Sequence, residues 1–244
     1  MSKTELIAPL RQRNIKYDIL LGSASPRRRA LLEGLDIPFT AISIDADESF
    51  PDELQGGDIP YYISRAKARA YEPNLRTDQL LITADTIVWA DGHMLGKPHD
   101  ESEAVAMLRA LSGKTHQVFT AVTFAEKGRE METIVDKTDV TFAELSDEEI
   151  RYYVSKYRPF DKAGAYGVQE WIGYVACTEI RGSYFNVMGF PVQKVYEMLK
   201  KTQYSFFHLR FGYEGLVRVA ETVFGGEGER SGTNDGEIES PLSL

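Results

Sequence analysis

Two serines and three consecutive arginines stand together in the stretch LLGSASPRRRALLEGL, residues 20–35. Pro26 suits the first turn of a helix, so the arginines fall near a helix N-terminus. Such an end offers unpaired N–H groups, and guanidinium groups bind phosphate bidentately. Cations there oppose the helix dipole, a local cost that a bound anion would offset. We predict that this turn cradles a phosphate, and a solvated basic helix start is the alternative. The predicted ligands are Ser23, Ser25, Arg27 and Arg28.

Acidic residues form the second chemical feature. Asp85 interrupts the apolar run LLITADTIV, where a carboxylate is costly unless it is paired or bound to a metal. A structural aspartate that caps a neighbouring turn is the alternative. Glu48 lies in the acidic loop DADESFPDE, a pattern that is also typical of solvated surface. Carboxylates of this kind suit Mg²⁺ or Mn²⁺, which bridge to substrate phosphates.

Two lysines and one rejected motif complete the chemistry. Lys67 follows the acidic loop and Lys97 stands in LGKP, and each taken alone is typical of a surface lysine. The SGKT at residues 112–115 ends like a phosphate-binding P-loop, but Leu108 stands where that motif needs glycine. The order there is also helix then strand, so we interpret Gly113 as a helix C-cap. The four histidines lack zinc-ligand spacing, so no zinc site is predicted.

The elements that must position these residues alternate along the chain. Hydrophobic periodicity and capping patterns predict helices over 26–35, 59–71, 100–113, 146–157 and 191–201. Strands are predicted at 17–21, at 39–44, and in hairpins that turn at 91–92 and 127–128. Residues 174–191 are predicted to be strand-like with turns.

Composition limits the possible size, ligands and location of the protein. The 244 residues, 43% of them hydrophobic, suffice for one globular unit or two lobes around a cleft. A net charge of −9 argues against nonspecific binding to nucleic acid. The single Cys177 allows no intramolecular disulfide and fits a reducing compartment. We find neither a signal peptide nor a run of ~20 apolar residues, and therefore expect a cytoplasmic protein without a membrane segment.

The sequence divides into three parts. Residues 17–202 are predicted to form the functional domain, preceded by a lead-in over 1–16. Residues 203–244 form a C-terminal extension, and the Gly-, Ser- and Glu-rich last twenty or so residues are expected to be disordered.

Five motifs together resemble the Maf family of nucleoside triphosphate pyrophosphatases. The resemblance runs from about residue 17 to residue 201, in the family's order and spacing. The motifs are GSASPRR at 22, ADT at 84, GKP at 96, LSGKTHQVFTAV at 111 and DKAGAYGVQ at 161.

The resemblance implies an α/β fold with an elongated mixed β-sheet flanked by helices, two lobes around a cleft, related to inosine triphosphate pyrophosphatases. It implies hydrolysis between the α- and β-phosphates with Mg²⁺ or Mn²⁺, and a homodimer. Asp85 would then activate water, and the serine–arginine turn would meet the triphosphate. Glu48 matches an acidic site position that, with Asp85, would hold the metal, and Lys67 and Lys97 match basic site positions.

The form of the last motif, DKAGAYGVQ, narrows the resemblance to one branch of the family. Gln169, with Thr86 and Arg27, resembles the branch that takes dTTP and UTP, and an amide can pair with the O4/N3 edge of uracil or thymine. After Gln169 the chain reads EWIGY, where some relatives have glycine at once. The alternatives are a different base, 7-methyl-GTP or CTP, or a nucleotide-binding regulator of septum formation whose hydrolysis is incidental.

Overall fold

The computed structural model describes residues 17–210, and for residues 203–210 it describes the backbone alone. The predicted lead-in over 1–16 lies outside the described residues. The predicted C-terminal extension also lies outside them, except for the helical backbone that continues to Arg210. The described residues up to Lys200 form one compact unit.

One mixed β-sheet organises the described residues. Its order is β2-β1-β3-β5-β6-β7, with β4 paired to β3. β1 runs parallel to β2 and β3, whereas β4 to β7 pair antiparallel with their neighbours. The strands are β1 (Asp18–Gly22), β2 (Thr40–Ile42), β3 (Gln79–Ala90), β4 (His93–Leu95), β5 (Thr115–Glu126), β6 (Glu132–Phe142) and β7 (Cys177–Arg181).

The long strand β3 has a gap in its pairing along one edge. β5 covers the other edge from Leu80 to Trp89. On the gapped edge, β1 pairs with residues 79–83 and β4 pairs with residues 88–90. Residues 84–87 therefore lie between the end of one partner strand and the start of the next. This open edge holds the ADT motif.

Helices cover both faces of the sheet. Two of them begin as predicted, since Asp100 accepts a hydrogen bond from the Glu103 amide and Ser146 forms a full capping box with Glu149. The helices are α1 (Pro26–Glu33), α2 (Asp58–Tyr71), α3 (Glu101–Leu111), α4 (Asp147–Tyr157), α5 (Trp171–Val175), α6 (Tyr184–Val187) and α7 (Val192–Arg210), with 3₁₀ turns at Glu72–Asn74 and Ala163–Ala165.

Strand alternation divides β3 between two environments. Leu81 and Ile87 pack in the clusters beneath α2, whereas Val88 and Ala90 belong to the larger cluster formed with α3 and α4. Successive side chains of the open edge therefore point toward different helices.

The predicted mixed sheet flanked by helices is confirmed. The prediction for residues 174–191 is wrong in part: β7 is present, but the short helices α5 and α6 flank it. Ser183 caps α6 by accepting a hydrogen bond from the Asn186 amide, a local signal that the apolar character of the segment hid. Among residues 17–210, no helix is long and apolar enough to cross a membrane.

His116 makes the stability of the fold depend on pH. The residue is 1% exposed, and its Nε2 lies 2.8 Å from the Tyr166 hydroxyl. Burial lowers the pKa of His116 from 6.5 to about 4. Below pH 6.5 the unfolded chain binds a proton that the folded protein resists, so the free energy of unfolding falls as the pH drops toward 4.

We expect the variant His116→Gln to lose less stability on acidification than the wild type. Between pH 7 and pH 4.5 the difference should be on the order of 2 kcal/mol, measured by urea unfolding at both values. The exposed His93→Gln is the matched control and should behave like the wild type. Parallel losses in all three proteins would show that His116 does not titrate differently on unfolding.

Candidate active site

A cavity of about 330 Å³ opens at the unpaired edge of β3. Because Asp85 and Thr86 point to opposite faces of the sheet and both line the cavity, the cavity wraps around the strand edge. All ten residues singled out in the sequence line it. They are Ser23, Ser25, Arg27, Arg28, Glu48, Lys67, Asp85, Thr86, Lys97 and Gln169.

The serine turn between β1 and α1 forms one wall. Ser25 is the N-cap of α1, and its Oγ accepts a hydrogen bond from the Arg28 amide at 3.4 Å. The Ser23 Oγ accepts one from the Ser25 amide at 3.2 Å. Since both oxygens act as acceptors within the turn, their hydroxyl protons are free to donate to an anion in the cavity.

Arg28 is tied into the protein rather than pointed at an open anion site. Its Nε donates to the Gly189 carbonyl at 2.9 Å, and its Nη1 donates to the Ala84 carbonyl at 2.8 Å. Its Nη2 donates to Thr86 Oγ1 at 2.9 Å. Burial lowers the pKa of this guanidinium, while the charge of Asp85 opposes the shift. Arg28 thus satisfies the Ala84 carbonyl, which lies just beyond the stretch of β3 that pairs with β1. It also fixes the Thr86 side chain.

A lysine bridges the two predicted acidic residues. The Lys67 Nζ lies 2.8 Å from Asp85 Oδ1 and 2.9 Å from Glu48 Oε1. Partial burial opposes ionisation of Glu48, but the hydrogen bond and charge of Lys67, with Lys97 and Arg28 farther away, lower its pKa overall. The Asp85 and Lys67 side chains are each 13% exposed. The family resemblance places these three residues in one site, but no local pattern in the sequence shows that the lysine bridges the two carboxylates.

The predicted divalent cation would need oxygen donors in the cavity. Within residues 17–210, no group of three or more His, Cys, Asp or Glu side chains converges in a metal-binding arrangement. Asp85 and Glu48 nevertheless lie close enough to contact the same Lys67 ammonium, and Mg²⁺ is commonly held by one or two carboxylates plus substrate phosphates. The residues therefore fit a cation that arrives with a polyphosphate, not a cage made of protein alone.

The side chains that line the cavity carry a net positive charge, whereas the chain as a whole carries a net negative charge. Arg27, Arg28, Lys67, Lys97 and Lys162 face three carboxylates among the described lining residues, an excess of two positive charges in a protein of net charge −9. Lys97 is exposed, and we find no hydrogen bond or ion pair for it within the described part of the chain. An anionic ligand would complete this set.

The opposite wall carries Gln169. Its Oε1 is buried, and no hydrogen-bond partner for it is present among the described residues. Gly173 in α5 allows this wall to close, because a Cβ there would lie 1.7 Å from the Val168 carbonyl oxygen. An unpaired buried acceptor beside a cavity is a place where a ligand donor would be stabilising.

Sequence reasoning missed an ionic ladder between the two walls. Arg27 Nη1 lies 2.8 Å from Asp161 Oδ2, and the buried Lys162 Nζ lies 2.7 Å from Asp161 Oδ1. Burial alone would raise the pKa of Asp161, but its hydrogen bonds from Lys162 and Arg27 lower it. Asp161 and Lys162 both stand in the DKAGAYGVQ motif, yet a lysine in a loop gives no sequence signal that it is buried.

The fold and the cavity define a class of α/β protein that places a lysine-bridged pair of carboxylates in a cavity lined by an excess of positive charge. Within that class, the chain belongs to the Maf family. The family profile, described as Maf-like protein, matches residues 18–202.

Curated relatives match about three quarters of the chain. A dTTP/UTP pyrophosphatase of Bacteroides thetaiotaomicron is 54% identical over 187 residues, which cover 76% of this chain and 96% of that protein. One from Parabacteroides distasonis is 55% identical over 186 residues, with the same shares covered. One from Flavobacterium psychrophilum is 47% identical over 187 residues, covering 77% of this chain and 95% of that protein.

Solved structures give weaker similarities. The Staphylococcus aureus Ham1 protein matches with a TM-score of 0.38 at 10% identity, covering 52% of this chain and 72% of that one. A nucleoside-triphosphatase, or dITP/XTP pyrophosphatase, from Mycobacterium abscessus matches with a TM-score of 0.38 at 12% identity, covering 79% and 98%.

Proposed function

We propose that this protein hydrolyses dTTP and UTP between the α- and β-phosphates, giving the nucleoside monophosphate and pyrophosphate. The observation that carries the proposal is the convergence of an anion-binding turn, a lysine-bridged carboxylate pair and a buried amide acceptor in one cavity. The names of relatives about half identical to this chain point to the same substrates.

Asp85 is the proposed general base. Its Oδ1 is held by Lys67, and among the described residues we find no hydrogen bond to its Oδ2. Oδ2 can therefore accept a proton from water as the water oxygen bonds to phosphorus and the phosphoanhydride bond breaks. The pyrophosphate leaves with the electron pair of that bond.

Cationic groups and hydroxyls around Asp85 bind the triphosphate. Ser23 and Ser25 donate hydroxyl protons, while Arg27, Lys67 and Lys97 offset phosphate charge. Arg28 contributes mainly by holding the turn, the strand edge and Thr86 together. Asp85 and Glu48 would hold Mg²⁺ or Mn²⁺, which would neutralise phosphate charge in the bound state. Cytoplasmic location and a homodimer remain predictions of the sequence.

Base selection is assigned to the wall opposite the serine turn. The free Oε1 of Gln169 can accept the N3–H of uracil or thymine, which cytosine lacks. Thr86 and Arg27 border the same cavity and complete the predicted specificity set.

Chromatographic product analysis tests the proposal. Incubation with Mg²⁺ and either UTP or dTTP should give monophosphate and pyrophosphate, with GTP, CTP and 7-methyl-GTP turned over more slowly. Release of inorganic phosphate and a diphosphate instead would contradict the assigned bond. Binding of nucleotide without any product would favour the regulator hypothesis.

A further inference from the structure

Glu170 directly follows the DKAGAYGVQ motif and lies at the centre of a largely buried network. Its Oε1 lies 3.1 Å from the Lys162 Nζ. Its Oε2 accepts a hydrogen bond from the Tyr153 hydroxyl. The Tyr153 oxygen in turn accepts one from the Gly167 amide at 3.0 Å. One carboxylate therefore connects α4 to both ends of the Lys162–Glu170 loop.

This network sets the position of the Gln169 side chain. A Cβ at Gly167 would lie 2.9 Å from Gln169 Nε2 and 3.0 Å from Glu170 Cδ, so both side chains pack directly over that glycine. The Glu170 amide also donates to the Gly167 carbonyl at 2.9 Å, which closes the turn containing Gln169. Any shift of the Glu170 carboxylate would therefore move the loop that carries the amide.

The network also reaches the other wall of the cavity. Lys162 is 7% exposed and shares its charge between Glu170 and Asp161, and Asp161 also pairs with Arg27. Without the Glu170 carboxylate, the buried ammonium would depend on Asp161 alone. Asp161 would then be drawn from Arg27 toward Lys162.

We propose that Glu170 is a positioning residue for base selection, which acts through Tyr153 and Lys162 to fix Gln169 and Arg27 on opposite walls of the cavity. The proposal rests on the proposed function, because it names the groups that hold the base-selecting side chains. It assigns Glu170 no contact with the reacting phosphates.

The test compares Glu170→Gln with the wild type in binding and in turnover. Calorimetry with α,β-methylene UTP and α,β-methylene CTP measures affinity without cleavage of the α–β linkage. Loss of a charge-assisted contact should weaken the UTP analogue about tenfold and reduce the preference for it over the CTP analogue, while kcat for UTP changes by less than about threefold.

Glu197→Gln is the matched control, since it removes an exposed carboxylate from a lysine ion pair of 2.8 Å. It should leave both affinities unchanged. Tyr153→Phe removes only the hydroxyl and should shift the preference in the same direction as Glu170→Gln. The double variant should be little worse than Glu170→Gln alone, because both substitutions interrupt one network.

Unchanged affinities in a folded Glu170→Gln would overturn the proposal. Equal weakening of both analogues with a lower melting temperature would also overturn it, because that pattern indicates general support of the fold. If Glu170→Gln does not fold, an unchanged preference in Tyr153→Phe is decisive against it. Failure of the proposed function gives a different result: the wild type would not cleave UTP, while the binding comparison would still report on Glu170.

Discussion

Replacement of Asp85 by asparagine is expected to abolish turnover of UTP while nucleotide binding persists. The amide keeps the shape of the side chain and can remain near Lys67, but it cannot accept a proton from water. Loss of a general base lowers kcat by about 10²–10⁴-fold. The measurement is pyrophosphate release at saturating UTP, together with calorimetry using α,β-methylene UTP.

The exposed Asp78→Asn serves as the control, because it removes a carboxylate that pairs with Arg76 at the surface. It should retain the wild-type kcat. Full activity of Asp85→Asn would remove Asp85 from the mechanism, and loss of analogue binding in that variant would show that the aspartate is needed to form the site.

Replacement of Lys67 by methionine is expected to produce the second large effect. Methionine fills a similar volume but leaves Asp85 and Glu48 facing each other without the ammonium between them. Their mutual repulsion would displace Asp85, and one positive charge would be lost beside the triphosphate. We expect kcat/KM to fall by at least about 10²-fold, a loss typical of removing one preorganised electrostatic contact.

Two comparisons distinguish this role from simple packing. Lys137→Met removes an exposed lysine from an ion pair of 3.3 Å with Asp139 and should leave kcat/KM unchanged. Adding Glu48→Gln to Lys67→Met removes one of the two repelling carboxylates, so the melting temperature should recover part of its loss although activity does not. Unchanged kcat/KM in Lys67→Met would contradict the role given to the lysine.

The sequence supports prediction of the site's members better than prediction of their arrangement. Motif residues such as Asp85 and Ser25 carry local signals: a charge within an apolar strand and a capping residue before a helix. The contact between Lys67 and Asp85 joins residues from α2 and β3, and no local pattern encodes such a meeting. Arg28 shows the same limit, because its carbonyl partners at Ala84 and Gly189 are defined by the tertiary fold.

Helices and strands could be predicted from the sequence where the hydrophobic periodicity extends over many residues. The helices α2, α3 and α4 and the hairpin of β5 and β6 have clear periods, and the structure contains them. The short helices α5 and α6 have about one turn each, too few residues to show a period. The open edge of β3 was equally hidden, since it depends on where β1 and β4 stop beside it.

The open edge of β3 has two faces. The proposed bond-breaking group and the Thr86 side of the proposed nucleotide-selecting set lie on different faces. Asp85 faces α2 and its lysine, whereas the next residue, Thr86, faces Arg28, Gly189 and Thr120. With the proposed roles, a substitution on the Thr86 side is expected to alter which nucleotide is preferred without disturbing the proposed catalytic group, Asp85. Such a layout favours divergence: descendants of one ancestral hydrolase could acquire new substrates while inheriting its chemistry intact.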